Sequence, residues 1–124
     1  GWVLVGDAFG FIDPIYSSGV YFALKTGILA ADAIIEGLAN DDLSASQLGS
    51  WITEFESGSI WIRKLVGAFY SNEFSFGQFL KEFPGHQGNL TDLLIGRIFY
   101  DGGGKIFDDM DPALEAARNP ESTQ

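Results

Sequence analysis

The stretch Trp2-Val3-Leu4-Val5-Gly6-Asp7-Ala8-Phe9-Gly10-Phe11-Ile12-Asp13-Pro14-Ile15-Tyr16-Ser17-Ser18-Gly19-Val20 decides how the rest of the chain reads. Trp2 to Val5 is a short apolar run with β-branched residues, stopped by Gly6. It reads as the last strand of a buried parallel sheet. Asp7 stands where such a strand ends. Ligands of open α/β sheets bind beyond the carboxyl ends of the strands, so an acid there is well placed to accept hydrogen bonds from a sugar-type hydroxyl. Taken alone, Asp7 is also readable as a cap or turn former, and Asp13-Pro14 as a turn.

Beyond this loop the pattern changes period. Val20, Leu24, Ile28, Ala31, Ile35 and Leu38 recur every three or four residues. That spacing predicts a helix over Gly19 to Gly37 with one buried face. Ser17, Ser18 and Gly19 stand at its start. Free backbone N–H groups there, with a macrodipole end worth roughly half a positive charge, favour an electron-rich or anionic group. Ala23, Gly27, Ala30 and Ala31 keep one side of the helix free of bulk, which predicts close packing against a neighbour.

The remainder reads as helices joined by short loops. Ser44-x-x-Gln47 matches a capping box, and Leu48, Ile52, Phe55, Ile62, Val66 and Phe69 follow on one side of a long helix ending near Tyr70. Gly49, Gly58 and Gly67 lie inside that span, so kinks or close packing are expected. Phe74, Phe76, Phe79, Leu80 and Phe83 form a second apolar cluster, stopped by Pro84-Gly85. A third helix is expected over Leu90 to Phe99. Asp111-Pro112-x-x-Glu115 supplies a cap, a first-turn proline and an acid for a short final helix. His86 lies in a loop with no evident acid or nucleophile near it in sequence, and Asn89 reads as a cap for the following helix.

Composition bounds the partners. The 124 residues fit about one domain on the usual prior of ~100–200 residues each. A chain of this size buries roughly two-thirds of its unfolded surface. With 46% hydrophobic residues and eleven Phe, a core packed around rings is expected. A net charge of −10 removes the electrostatic case for nucleic acid and disfavours anionic membrane surfaces. Lys25 and Asp32 interrupt the best candidate membrane span. Zero cysteines exclude disulfides and thiolate metal sites, and a cytoplasmic location is the default. Asp101, Asp108, Asp109 and Asp111 lack the spacing of a calcium loop.

The string GDAFGFIDPIYSSGVYFALKTGILAADAI resembles the second flavin-contacting segment of the flavin-dependent halogenase family, within the fold group of p-hydroxybenzoate hydroxylase and geranylgeranyl reductase. FYSNEFSFGQFLKEFP and LTDLLIGRIFYDGGGKIFDDMDP resemble the helical carboxyl-terminal region of halogenase-like oxidoreductases and dehydrogenases. The resemblance runs over nearly the whole chain. It implies that Gly6-Asp7 contributes a cofactor contact, with Asp7 on the ribityl chain of FAD, and that Pro14 lies against the isoalloxazine ring. It also implies that Ser17, Ser18, Gly19 and Val20 bring backbone N–H groups near the flavin N1 and C2 carbonyl. Such groups tune the flavin, while the redox chemistry is the cofactor's own.

The dinucleotide half of the site is absent from this sequence. It contains no G-x-G-x-x-G turn, and Gly102-Gly103-Gly104 has no strand and helix around it, so it reads as a turn. The lysine and the Trp-x-Trp-x-Ile-Pro segment that the resemblance requires for halogenation have no matching positions. The chain is therefore expected to be the carboxyl-terminal portion of a longer flavoprotein, as its start at Gly1 also suggests, and not to hold FAD usefully alone.

The expected fold is mostly α, a short N-terminal strand plus four or five helices, with the parent protein a Rossmann-like α/β FAD-binding fold. Residues 1–38 are expected to close the FAD-binding domain, 39–118 to form a helical region and 119–124 a polar tail. Halogenase, monooxygenase and dehydrogenase chemistry all remain open for the parent, as does its substrate, for which an apolar or aromatic small molecule is expected in a pocket lined by part of the aromatic set. An unpaired strand edge predicts homo-oligomers of the fragment. The alternative is a stand-alone helical binding or dimerisation module without cofactor.

Overall fold

Trp2 to Val5 does not form the expected strand, and the computed structural model contains none among the residues it describes, 1–100 and 102–118. The tail expected over 119–124 lies outside the described residues. Val5 does have extended dihedrals, φ −137° and ψ 163°. A strand is defined by its ladder of N–H to C=O bonds, and nothing among the described residues supplies a neighbour to complete one. Trp2, Leu4 and Val5 are left exposed instead of being sandwiched between layers. The mostly helical expectation holds.

Six α-helices are described: α1 Gly19–Ala39, α2 Ala45–Leu48, α3 Ile52–Phe69, α4 Phe76–Glu82, α5 Gln87–Leu94 and α6 Phe107–Arg118. Single 3-10 turns cover Gly6–Ala8, Pro14–Tyr16 and Pro84–His86. The chain divides into two compact units, one over Gly1–Ser57 and one from Gly58 onward.

In the first unit, α1 buries Phe22, Thr26, Ala30, Ala33 and Gly37. This is not its aliphatic stripe. Val20, Leu24, Ile28, Ile35 and Leu38 are between 61% and 74% exposed. The small residues Ala30, Ala33 and Gly37 let a neighbouring backbone come close. At Gly37 a Cβ would stand 2.5 Å from the Asp42 carbonyl oxygen. The helix ends in a left-handed Asp41, with the Asp42 N–H donating to the Gly37 carbonyl at 2.8 Å, a Schellman arrangement carried by an aspartate.

The capping box at Ser44 is half made. Ser44 Oγ accepts from the Gln47 N–H at 3.3 Å, but the Gln47 side chain turns to the Ala33 carbonyl at 3.1 Å. Helix α2 then stops at Gly49, so the long expected helix is two helices. The Trp51 indole N–H donates to the freed Leu48 carbonyl at 3.0 Å. Trp51 and Phe55 join Phe9 and Phe22 in one ring cluster with centroids 5.0 to 6.2 Å apart.

The second unit closes around Ile62, Leu65, Phe79, Leu93, Ile98, Ile106 and Met110, all buried. Trp61 stacks on Phe107 at 5.4 Å, and Gly104 passes so close that a Cβ there would lie 2.6 Å from the Trp61 ring. Helix α6 starts one turn earlier than its Asp111-Pro112 cap suggests, leaving Pro112 inside it. Burial of Phe107 and Met110 outweighs the hydrogen bond the proline removes, and Asp111 pairs with Lys64 instead of capping.

Candidate functional site

Gly6 opens the turn that presents Asp7. Its φ of +57° lies in the left-handed region, and a Cβ there would approach the Ala23 Cβ to 3.2 Å, so both conformation and space select glycine. The Gly6 N–H donates to Thr26 Oγ1 at 2.9 Å, and the same hydroxyl donates back to the Phe22 carbonyl at 2.7 Å. Thr26 is 1% exposed. One buried hydroxyl thus ties the turn to the flank of α1, about 10 Å along the axis from Gly19 at ~1.5 Å rise per residue. The Phe9 and Gly10 N–H groups close the turn on the Gly6 carbonyl at 3.0 and 3.1 Å. Asp7 itself is exposed and follows this fixed point directly.

The second part is the N-terminus of α1. Asp13 Oδ1 accepts from the Ile15 N–H at 2.9 Å, which sets Pro14 as the first residue of the Pro14–Tyr16 turn. Ser17 follows in the left-handed region at φ +54°, a strained position for a residue with a Cβ. The first main-chain bond of α1 runs from the Phe22 N–H to the Ser18 carbonyl at 3.0 Å. Gly19 and Val20 therefore have no N–H partner within the helix, and no acid stands in its first turn. The Ser18 hydroxyl is buried and has no hydrogen-bond partner among the described residues. Such a group costs free energy unless something completes it.

The resemblance put forward Gly6, Asp7, Pro14, Ser17, Ser18, Gly19 and Val20 as the expected contact residues. It did not reveal Thr26, whose position among apolar neighbours resembles any helix-face residue. A lone hydroxyl at the centre of an otherwise apolar inner line is the signal that marks it.

Elsewhere, one polar cluster ties two elements of the second unit together. His86 has the partner that local sequence did not show: Nε2 donates to Asp109 Oδ2 at 2.7 Å, and Nδ1 accepts from the Asn89 amide at 2.8 Å. Asn89 sits inside α5 and is committed to this pair, not to a cap. The imidazole also stacks on Phe79 at 5.8 Å, so it ties the Pro84–His86 turn to the start of α6. Gly102-Gly103-Gly104 is a turn, as expected. Among the described residues no group of three or more His, Cys, Asp or Glu side chains converges as a metal site, and no helix is long and apolar enough to cross a membrane.

No protein-family model and no solved structure matches the chain. Curated relatives do. The 1H-pyrrole-2-carbonyl-(peptidyl-carrier protein) chlorinase of Pseudomonas fluorescens is 29% identical over 118 residues, 95% of this chain and 26% of the chlorinase. The corresponding brominase of Pseudoalteromonas luteoviolacea is 44% identical over 61 residues, 49% of this chain and 13% of the brominase. Geranylgeranyl diphosphate reductase of Oryza sativa is 40% identical over 55 residues, 43% of this chain and 12% of the reductase. The chain thus spans about a quarter of the chlorinase's length and smaller shares of the others. It is a homologue, over that span, of the FAD-dependent halogenase-like oxidoreductases.

Proposed function

We propose that this chain is the carboxyl-terminal portion of an FAD-dependent oxidoreductase and carries the flavin-facing part of its cofactor site. The observation that carries the reading is the buried, unpartnered Ser18 hydroxyl at an acid-free helix N-terminus. It stands on the same helix that fixes the Gly6-Asp7 turn. The donor set fits the group. Free N–H groups of Gly19 and Val20 suit an electron-rich ring edge, and an exposed carboxylate at Asp7 suits a polyhydroxyl chain. Asp7 would hold the ribityl hydroxyls, Pro14 would lie against the ring, and Ser17 to Val20 would line its electron-rich edge.

FAD, when bound, supplies the electron-transfer chemistry. The chain's own residues bind and orient it, and the positive end of α1 stabilises negative charge on the ring. A halogenating, hydroxylating or dehydrogenating parent acting on an apolar or aromatic small molecule fits this role, and the sequence relatives favour the first. The isolated chain lacks a phosphate-cradling glycine turn and so does not retain FAD. The test is a chimera in which this chain replaces the matched 118 residues of the chlorinase. The chimera is expected to purify yellow and the isolated chain colourless. A colourless but folded chimera, or an isolated chain that binds FAD tightly, overturns the reading.

A further inference from the structure

The Asp7 carboxylate is exposed and makes no hydrogen bond among the described residues. No contact of its own fixes where it stands, so the backbone on either side must place it. That backbone is pinned at Gly6. The Gly6 carbonyl accepts from the Phe9 and Gly10 N–H groups at 3.0 and 3.1 Å, which closes the turn on itself. The Gly6 N–H points out of the turn to Thr26 Oγ1 at 2.9 Å. Among the described residues no other hydrogen bond joins the Gly6–Ala8 turn to α1.

Thr26 is held for that contact. Of the described residues in the first unit it alone is both polar and buried. Its hydroxyl donates to the Phe22 carbonyl at 2.7 Å, with the Ala23 carbonyl at 3.1 Å as a second acceptor. The proton is thereby turned into the helix and the oxygen lone pairs are left for Gly6. Packing does not require the hydroxyl, since Ala30 and Ala33 fill the next positions of the same inner line and alanine is the better helix former. Phe22, Ala30 and Ala33 carry no side-chain acceptor, so the turn has one register along α1.

We infer that Thr26 is a positioning residue for the cofactor: its hydroxyl sets where the Gly6-Asp7 turn sits along α1, and hence the span from the Asp7 carboxylate to the N–H groups of Gly19 and Val20. The inference rests on the reading of this chain as the flavin-facing part of an oxidoreductase site. Thr26 stands seven residues beyond Gly19, about 10 Å along the axis at ~1.5 Å per residue. A ligand that touches both places is a rigid ring carrying a polyhydroxyl chain, and it is held best when the two contacts stand at its own length. A loose end must be ordered on binding, which weakens affinity.

Thr26→Val keeps the shape of the side chain and removes the hydroxyl, whereas Thr26→Ser keeps the hydroxyl and removes a methyl. Each is made in the chlorinase chimera, alone and together with Asp7→Ala, with folding checked by circular dichroism and FAD affinity measured by titration. The isolated chain supplies a readout that needs no cofactor, the amide exchange of Gly6 beside that of α6. Thr26→Val is expected to lower FAD affinity by about fivefold or more, and Thr26→Ser to stay within about twofold of the parent. Added to Asp7→Ala, Thr26→Val is expected to change affinity by less than about twofold, because no carboxylate is left to place. In the isolated chain Gly6 exchange accelerates with valine and not with serine.

Equal affinity of the valine variant and the parent in a folded, yellow chimera overturns the inference and leaves the flavin reading standing. A loss that multiplies in full with that of Asp7→Ala also overturns it, since Thr26 then supports the fold and not Asp7. A colourless parent chimera removes the flavin reading and the inference with it. Should Thr26→Val not fold, Thr26→Ala is the hydroxyl-free variant to which the same outcomes apply.

Discussion

The two ends of the molecule differ in how completely they bury what they carry. From Gly58 onward, Leu65, Ile106 and Met110 are fully buried and the polar side chains are tied to one another, as His86 is to Asp109 and Lys64 to Asp111. Before it, a helix with two apolar faces has one covered, and among the described residues an extended segment has no partner strand and a buried hydroxyl lacks a hydrogen bond. In the first unit, the unsatisfied groups gather around α1.

The contrast is broken or sharpened most strongly by truncating matched apolar side chains. Met110→Ala in the second unit is expected to cost about 2–5 kcal/mol in urea unfolding, the range for fully buried side chains. Ile28→Ala on the outer face of α1 is expected to stay within about 0.5 kcal/mol of the parent. Equal losses would mean that the stripe is covered in the isolated chain.

Next in size is the pair of glycine positions. Gly104→Ala drives a methyl into the Trp61 ring and is expected to cost about 1–3 kcal/mol. Gly6→Ala meets Ala23 less tightly but must hold a φ of +57°, for an expected cost of about 1–2 kcal/mol. Thr26→Val removes the acceptor of the Gly6 N–H and is expected to cost about 1–3 kcal/mol. Its second readout is local: amide exchange of Gly6 should accelerate while that of α6 stays unchanged.

The smallest effect is electrostatic. The hydroxyl and backbone N–H of Ser44 hold the exposed Asp42 carboxyl below its ordinary value. A lowered folded-state value means that this contribution is present above the ordinary carboxylate range and is lost as the pH falls through and below it. Asp42→Asn should therefore lower stability slightly at neutral pH and converge with the parent in acid, which flattens the acid limb of the stability curve. A larger change in acid than at neutral pH would contradict the assignment.

Local signals account for much of what was legible. Helix α1 ran within two residues of its expected span, because its period and its glycine start are local properties. The aromatic cluster around Phe74 to Phe83 likewise folds on itself, with Phe79 at its centre. What failed depended on distant partners. Trp2 to Val5 has strand composition, but a strand needs a neighbour. The burial face of α1 was misread because both of its faces are apolar, and only the identity of the packing partner selects one. His86 and Asp109 are 23 residues apart, beyond any local pattern. At Pro112, tertiary burial of Phe107 and Met110 overrode the local cap.

The most direct test of the flavin reading is the FAD-to-protein ratio of the purified chlorinase chimera beside its Asp7→Ala variant, with folding checked by circular dichroism. The account predicts near-stoichiometric FAD in the first and a loss of at least tenfold in FAD affinity in the second, with the fold intact. Equal FAD affinity in the two would contradict the assignment of the Gly6-Asp7 turn to the cofactor.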